Sequence, residues 1–248
     1  MASLDWLTAR PVAHRGLHDA QKGIIENTPS AFAAAIAGGY GIECDLQISA
    51  DGEAMVHHDE ALGRLTQGSG RLDAMTSADL KRVPFKATAD RMITLDELCA
   101  LVAGRATLVI EFKGRFDGDR RLVARAAEAL AGYRGPAALM SFDPAPIAML
   151  RNIAPNLVRG MAAERHYRDR AWDRLPAGTK RAMAAFTHVL QTRPQFIAYW
   201  VRDLPAPIAT VARRVFALPL LTWTVRSGDD RQKAARYADQ MIFEGFRP

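Results

Sequence analysis

The chain has 248 residues, 49% of them hydrophobic and 24% charged, which is ordinary usage for a soluble globular protein and close to the size of one eight-stranded α/β barrel. Its two cysteines, Cys44 and Cys99, exclude a disulfide framework, and neither lies in a C-x-x-C or Cys/His metal pattern, so a reducing compartment fits best. The net charge of +6 and pI near 9.6 admit nucleic acid, an anionic membrane surface or a small anionic substrate; Lys and Arg are scattered along the whole chain, which favours the last and argues against a nucleic-acid partner.

The opening segment MASLDWLTARP lacks a basic stretch followed by an apolar one, and no later run approaches the roughly 18 apolar residues of a spanning helix. The expectation is a soluble, cytoplasmic protein without stable membrane insertion.

Along the chain, β-rich runs alternate with Ala/Leu-rich helical patterns. The runs are Arg10 to His14, Gly41 to Ile48, Ala106 to Phe112, Ala137 to Ser141, Leu157 to Met161, Gln195 to Trp200, Leu220 to Val225 and Gln240 to Phe243, making eight candidate parallel strands. Helical periodicity fills the intervals, and several of these segments open at Asn, Thr, Asp or Pro and close near Gly. With no Ser/Gly/Pro linker and no longer repeat, the reading is one domain over 1–248 with the fold of a (β/α)8 barrel.

Two insertions are expected. Asp51-Gly52 follows the second strand directly and precedes the short run Ala54 to His58, a hairpin signal, so a segment of about 49–92 should rise from strand two over one barrel face. A second, about 162–193, follows the fifth strand and carries His166, Tyr167 and Trp172 among several arginines. The chain leaves little for an eighth helix after the last strand, and the SLDWL segment is expected to cover part of that gap.

In a strand, residues i and i+2 share a face, so Glu43 projects with Asp45, and Glu111 with Lys113. Both pairs end their strands, and the carboxyl ends of barrel strands form the active face, so three carboxylates and a lysine should converge there. Such carboxylates either pair with Lys113 and nearby arginines or share a hard cation such as Mg2+ or Ca2+. His14 and Arg15, at the end of strand one, could face the same cluster, supplying an imidazole for proton transfer and a guanidinium for bidentate phosphate recognition. The hairpin would fold His58 back over the same mouth, with His57 facing away into packing. Asn27 or Thr28 reads as an N-cap before Pro29.

These residues carry a resemblance. A-H-R-G at Ala13 to Gly16, E-N-T at Glu26 to Thr28, I-E-C-D-L-Q at Ile42 to Gln47, Asp51-Gly52 and His58-Asp59 together resemble the signature of the glycerophosphodiester phosphodiesterases, a phosphatidylinositol-phospholipase-C-like barrel family. T-L-D-E-L at Thr94 to Leu98, I-E-F-K at Ile110 to Lys113, S-F-D at Ser141 to Asp143 and W-T-V at Trp223 to Val225 continue it in order across nearly the whole chain. Two positions depart: Ser49-Ala50 stands for the family's threonine before the D-G turn, and Glu244 to Pro248 replaces a polar T-D-x-P.

The resemblance implies a metal-dependent hydrolase that releases glycerol phosphate and an alcohol from a small phosphodiester. It implies that Glu43, Asp45 and Glu111 hold one divalent ion, that Arg15 and Lys113 contact the phosphate, that His14 and His58 are the acid/base pair, that Glu26 has a positioning role, and that Trp223 walls the alcohol group. Alternatives are a lysophospholipase D acting on lipid headgroups, with the second insertion approaching a membrane peripherally, and a catalytically silent barrel that binds phosphorylated metabolites.

Overall fold

The computed structural model describes residues 3–248. Eight parallel strands close a barrel: β1 (Val12–Ala13), β2 (Gly41–Ile48), β4 (Leu108–Phe112), β5 (Ala137–Ser141), β6 (Val158–Ala163), β7 (Phe196–Trp200), β8 (Leu220–Val225) and β9 (Gln240–Phe243), with β1 pairing both β2 and β9. The extra strand β3 (Ala54–Val56) runs antiparallel to β2, as the Asp51-Gly52 turn predicts. The first strand is shorter than its apolar run because Pro11 has no N–H to give, although His14 N still donates to Phe243 O at 2.9 Å.

Helices α2 (Pro29–Ala37), α4 (Leu95–Val102), α5 (Arg121–Ala131), α6 (Pro144–Ile153), α9 (Pro207–Arg214) and α10 (Gly228–Tyr237) follow their strands around the outside. Two of the family-like motifs prove to be helix starts. Thr94 and Glu97 form a reciprocal capping box on α4, and Asp143 caps α6 through Ala145 N while also accepting from Phe116 N. The N-cap expected at Asn27 or Thr28 is not made by either side chain. Thr28 occupies the position but its hydroxyl donates to Ile25 O, and Asn27 is drawn into the active face.

Alternate strand residues fill the barrel interior, among them Val12, Val109, Ala198, Leu221 and Ile242. Leu7, on the short helix α1 (Asp5–Thr8), joins that cluster with no exposed surface, while Thr107 Oγ1 and Gln240 Nε2 bond the carbonyls of Trp6 and Thr8. Both partners stand at the amino ends of strands. The SLDWL segment therefore plugs the floor of the barrel instead of covering a gap in its wall, with Leu7 completing the apolar interior.

The first insertion, beyond β3, holds α3 (Ser77–Arg82) and its own small core of Met55, Leu72, Leu80 and Phe85. The segment after β6 carries α7 (Ala177–Ala184) and α8 (Val189–Thr192), with Tyr167, Leu175 and Met183 packed together.

Candidate active site

The carboxyl end of β1 turns sharply. Arg15 adopts a left-handed φ of 56°, and Gly16 follows at 79°, where a Cβ would come within 2.9 Å of the Ala31 backbone; only glycine lets this turn lie against α2. The turn aims Arg15 inward. Its backbone N–H donates to Glu43 Oε2 (2.9 Å), Nη1 donates to Glu26 Oε1 (2.7 Å), and Nε lies 3.3 Å from Asp45 Oδ2. Burial opposes the guanidinium charge, but Asp45 and Glu26 outweigh it and raise the Arg15 pKa.

Parallel pairing of β2 with β4 sets Asp45 beside Glu111, with Glu43 one pleat below. One oxygen of each of the three carboxylates lies within 4.8 Å of the others, and all three residues are buried. Burial, and then Asp45 and Glu111, push the Glu43 pKa well above its usual value. For Asp45, burial is overcome by Lys113 and Arg15, which hold its carboxyl well below the usual range. Lys113 Nζ stands 2.8 Å from both Asp45 Oδ1 and Glu111 Oε1, and despite burial these carboxylates raise its pKa.

That contact leaves Asp45 Oδ1 buried without an aligned hydrogen bond. An all-oxygen donor set with such an unmet acceptor fits a hard divalent cation, which would supply the positive charge that one lysine and one arginine do not fully provide.

Both histidines border this cluster. His14 Nδ1–H donates to Glu244 Oε2 at 2.7 Å, and its Nε2 faces Glu43 Oε2 at 3.9 Å. Burial lowers the His14 pKa to about 4 against the opposing pull of Glu244, so the imidazole is neutral, with Nδ1 as donor and Nε2 as free acceptor. His58 follows β3, anchored by Gln47 Nε2 donating to its carbonyl, and its Nδ1 lies 2.8 Å from Asp59 Oδ1. His57 points the other way, buried against Phe85.

Each histidine thus rests on a carboxylate that an arginine also holds: Arg226 donates to Glu244 (3.0 Å) and Arg64 to Asp59 (2.6 Å). Arg64 and Arg15 share Glu26, so Glu26 touches the site through Arg15. Trp223 lines the same open cleft of about 1390 Å3. Its Nε1–H donates to Ala198 O at 2.9 Å, and its ring meets Phe142 edge-on and stacks with Trp200.

All nine residues singled out from the sequence therefore border one cleft or the ion pairs beneath it. Four partners were not foreseen. Asn27 Nδ2 donates to Asp45 at 2.8 Å, Asp59 and Glu244 orient the histidines, and Arg64 ties Asp59 to Glu26. Asp59 and Asn27 stood inside quoted motifs. Glu244 stood out only as a departure, and its partner is 230 positions away.

Relatives that match part of the chain include the glycerophosphodiester phosphodiesterase of Caldanaerobacter subterraneus subsp. tengcongensis (30% identical over 161 residues; 60% of this chain and 65% of that one) and the probable glycerophosphodiester phosphodiesterase 1 of Mycobacterium tuberculosis (32% over 171 residues; 59% and 61%). The matched segment is thus under two thirds of either relative. Among solved structures, a phosphodiesterase of Oleispira antarctica in complex with the product sn-glycerol-3-phosphate superposes with a TM-score of 0.76 at 19% identity, covering 96% of this chain and 94% of that one. A putative glycerophosphoryl diester phosphodiesterase of Silicibacter pomeroyi gives 0.75 at 24%, covering 94% and 89%. These two establish the fold. The sequence model of the glycerophosphoryl diester phosphodiesterase family matches residues 14–245, which takes in every side chain of the cleft described above, and the chain belongs to that family.

Proposed function

We propose that this protein is a metal-dependent glycerophosphodiester phosphodiesterase that releases glycerol phosphate and an alcohol. The observation that carries the reading is the convergence of three buried carboxylates with two histidines, each fixed through Nδ1 by its own carboxylate. The product glycerol phosphate in the Oleispira antarctica relative is consistent with it.

In this reading Glu43, Asp45 and Glu111 hold one Mg2+ or Ca2+, which when bound neutralises charge on the phosphoryl oxygens. Arg15 and Lys113 bind the same phosphate oxygens as fixed cations, so little reorganisation is needed as charge develops. The neighbouring glycerol hydroxyl attacks phosphorus, since an internal nucleophile is favoured by proximity over bulk water. His14 Nε2 takes that hydroxyl's proton; its neutral state and donated Nδ1–H suit it to the task. As the bond from phosphorus to the alcohol oxygen breaks, His58 gives that oxygen a proton, its ring held in place by Asp59. The products are an alcohol and a five-membered cyclic phosphate, which water opens with the proton transfers reversed. Trp223 walls the alcohol side of the cleft.

Two buried free thiols, Cys44 and Cys99, agree with a cytoplasmic location, and no described helix is long and apolar enough to cross a membrane. The test is an assay of the purified protein against diesters with and without a hydroxyl next to the esterified oxygen. Glycerol diesters should be cleaved with transient cyclic phosphate, visible by phosphorus NMR. Equal rates on diesters lacking that hydroxyl would replace the internal attack by direct attack of water.

A further inference from the structure

The outer helices run antiparallel to the strands, so their carboxyl ends gather at the barrel floor, opposite the catalytic cleft. Every large apolar side chain that is well exposed among the described residues lies on α6, α8 or α9 or just beyond: Ile153, Val189, Leu190, Val211, Val215 and Phe216, with Leu190 at 79%, Val215 at 70% and Phe216 at 68%. Ile153 ends α6, Leu190 stands on the last turn before β7, and Val215 and Phe216 follow α9, so these four approach the floor. Arg151 Nη1 donates to the carbonyls of Leu190 and Gln191 and ties α6 to α8.

The same end is basic. Arg10, Arg105, Arg134 and Arg193 occupy loops that enter strands, and Arg151 and Arg214 lie in the last turns of α6 and α9. The acids there are few: Asp239 is taken by Arg213 at 2.7 Å, leaving Asp5 and Glu128. A cation near a helix carboxyl end is partly explained by the helix dipole. The dipole does not explain exposed Leu190, Val215 and Phe216 beside those cations.

We propose that this floor is a docking surface for an anionic lipid bilayer. Aromatic and aliphatic side chains interleaved with arginine suit the headgroup boundary, where the former enter the acyl region and the latter meet lipid phosphates. A second copy of the chain is the poorer occupant. Pairing this face with itself sets arginines against arginines with little acid to offset them. Docked in this way, the protein turns its cleft toward water, and its diesters arrive as soluble, deacylated molecules; this consequence rests on the proposed activity, whereas the docking itself does not.

The experiment is sedimentation of the purified protein with vesicles of phosphatidylcholine alone and of an equimolar mixture of phosphatidylcholine and phosphatidylglycerol, at low and high salt. Binding is expected only to the mixed vesicles and should fall with salt. Arg193→Glu and Arg214→Glu should each weaken it on the order of tenfold. Leu190→Ser with Phe216→Ser should weaken it while leaving the salt dependence in place. All these positions are exposed, and unchanged melting temperatures would exclude misfolding. Absence of binding to the mixed vesicles, equal binding to neutral ones, or arginine variants that bind like the parent would overturn the proposal. So would a dimer in sedimentation velocity that Leu190→Ser disperses while the protein ignores vesicles. Because no vesicle measurement uses turnover, failure of docking and failure of the catalytic reading are separable.

Discussion

At the residue scale, the contact between His14 and Glu244 decides which imidazole nitrogen is free. Glu244 accepts from Nδ1 and from Arg226, so its loss unlocks the ring without removing a group from the phosphate. Glu244→Gln should lower kcat by about 10- to 100-fold, a fraction of the effect of losing a positioned base, with KM nearly unchanged. In a His14→Ala background the same change should cost almost nothing, because a positioning residue acts only through the group it positions. Steady-state kinetics on the four proteins of that cycle would decide; fully additive losses would show that Glu244 acts elsewhere. Lys113 and Arg15 touch the site directly, and Lys113→Ala should reduce kcat/KM on the order of 100-fold or more. Arg15→Lys should also fare badly, since a point charge cannot hold Glu26 and Asp45 with one planar fork and, as proposed, still reach the phosphate.

At the scale of elements, the site depends on neighbouring strands holding their register. β2 and β4 bring Asp45 beside Glu111, and a one-residue slip of β2 would turn Asp45, and Glu43 with it, out of the barrel. Exhaustive dialysis against EDTA should abolish turnover, and Mg2+ or Ca2+ should restore it. Glu43→Gln should weaken metal binding by calorimetry while the circular dichroism of the barrel stays the same. Full activity in protein free of metal by elemental analysis would exclude the ion.

The packing of β6 against β7 gives a second measurement. A Cβ on Gly160 would lie 2.5 Å from the ring of Phe196, which is wholly buried in the barrel interior and has no room to swing aside. Gly160→Ala should therefore destabilise the fold by about 1–3 kcal/mol, measured by urea unfolding.

At the scale of the whole molecule, burial of neutral histidine links stability to pH. His57 is 1% exposed and burial lowers its pKa to about 4 from 6.5. Between those values the unfolded chain binds a proton that the folded one refuses, so stability is fully present above 6.5 and is lost as pH falls toward 4. The loss from His57 amounts to about 3 kcal/mol at most. Thermal melts across that window should show the decline, and His57→Leu should flatten it; an unchanged slope in the variant would assign the effect to other groups.

Much of this architecture was legible in the sequence, because the signals involved are local. Short β-rich runs alternating with helical patterns marked the barrel strands, Asp51-Gly52 marked the hairpin, and the i, i+2 rule placed Glu43 with Asp45 and Glu111 with Lys113 on one face. The motif order then joined His14, Arg15 and His58 to that face. What the sequence by itself did not determine was what each of these groups leans on. The partner of His14 lies at the far end of the chain and becomes its neighbour only because β9 closes the barrel on β1. Asn27 reads as a helix cap by local propensity, yet its left-handed backbone turns the amide toward Asp45, where a buried carboxylate makes the stronger demand for a donor. Leu7 likewise seals the floor because closure leaves an apolar opening there. Local pattern fixes which face a side chain occupies, whereas barrel closure and the need to satisfy buried charge decide its partners, and those depend on contacts no sequence window contains.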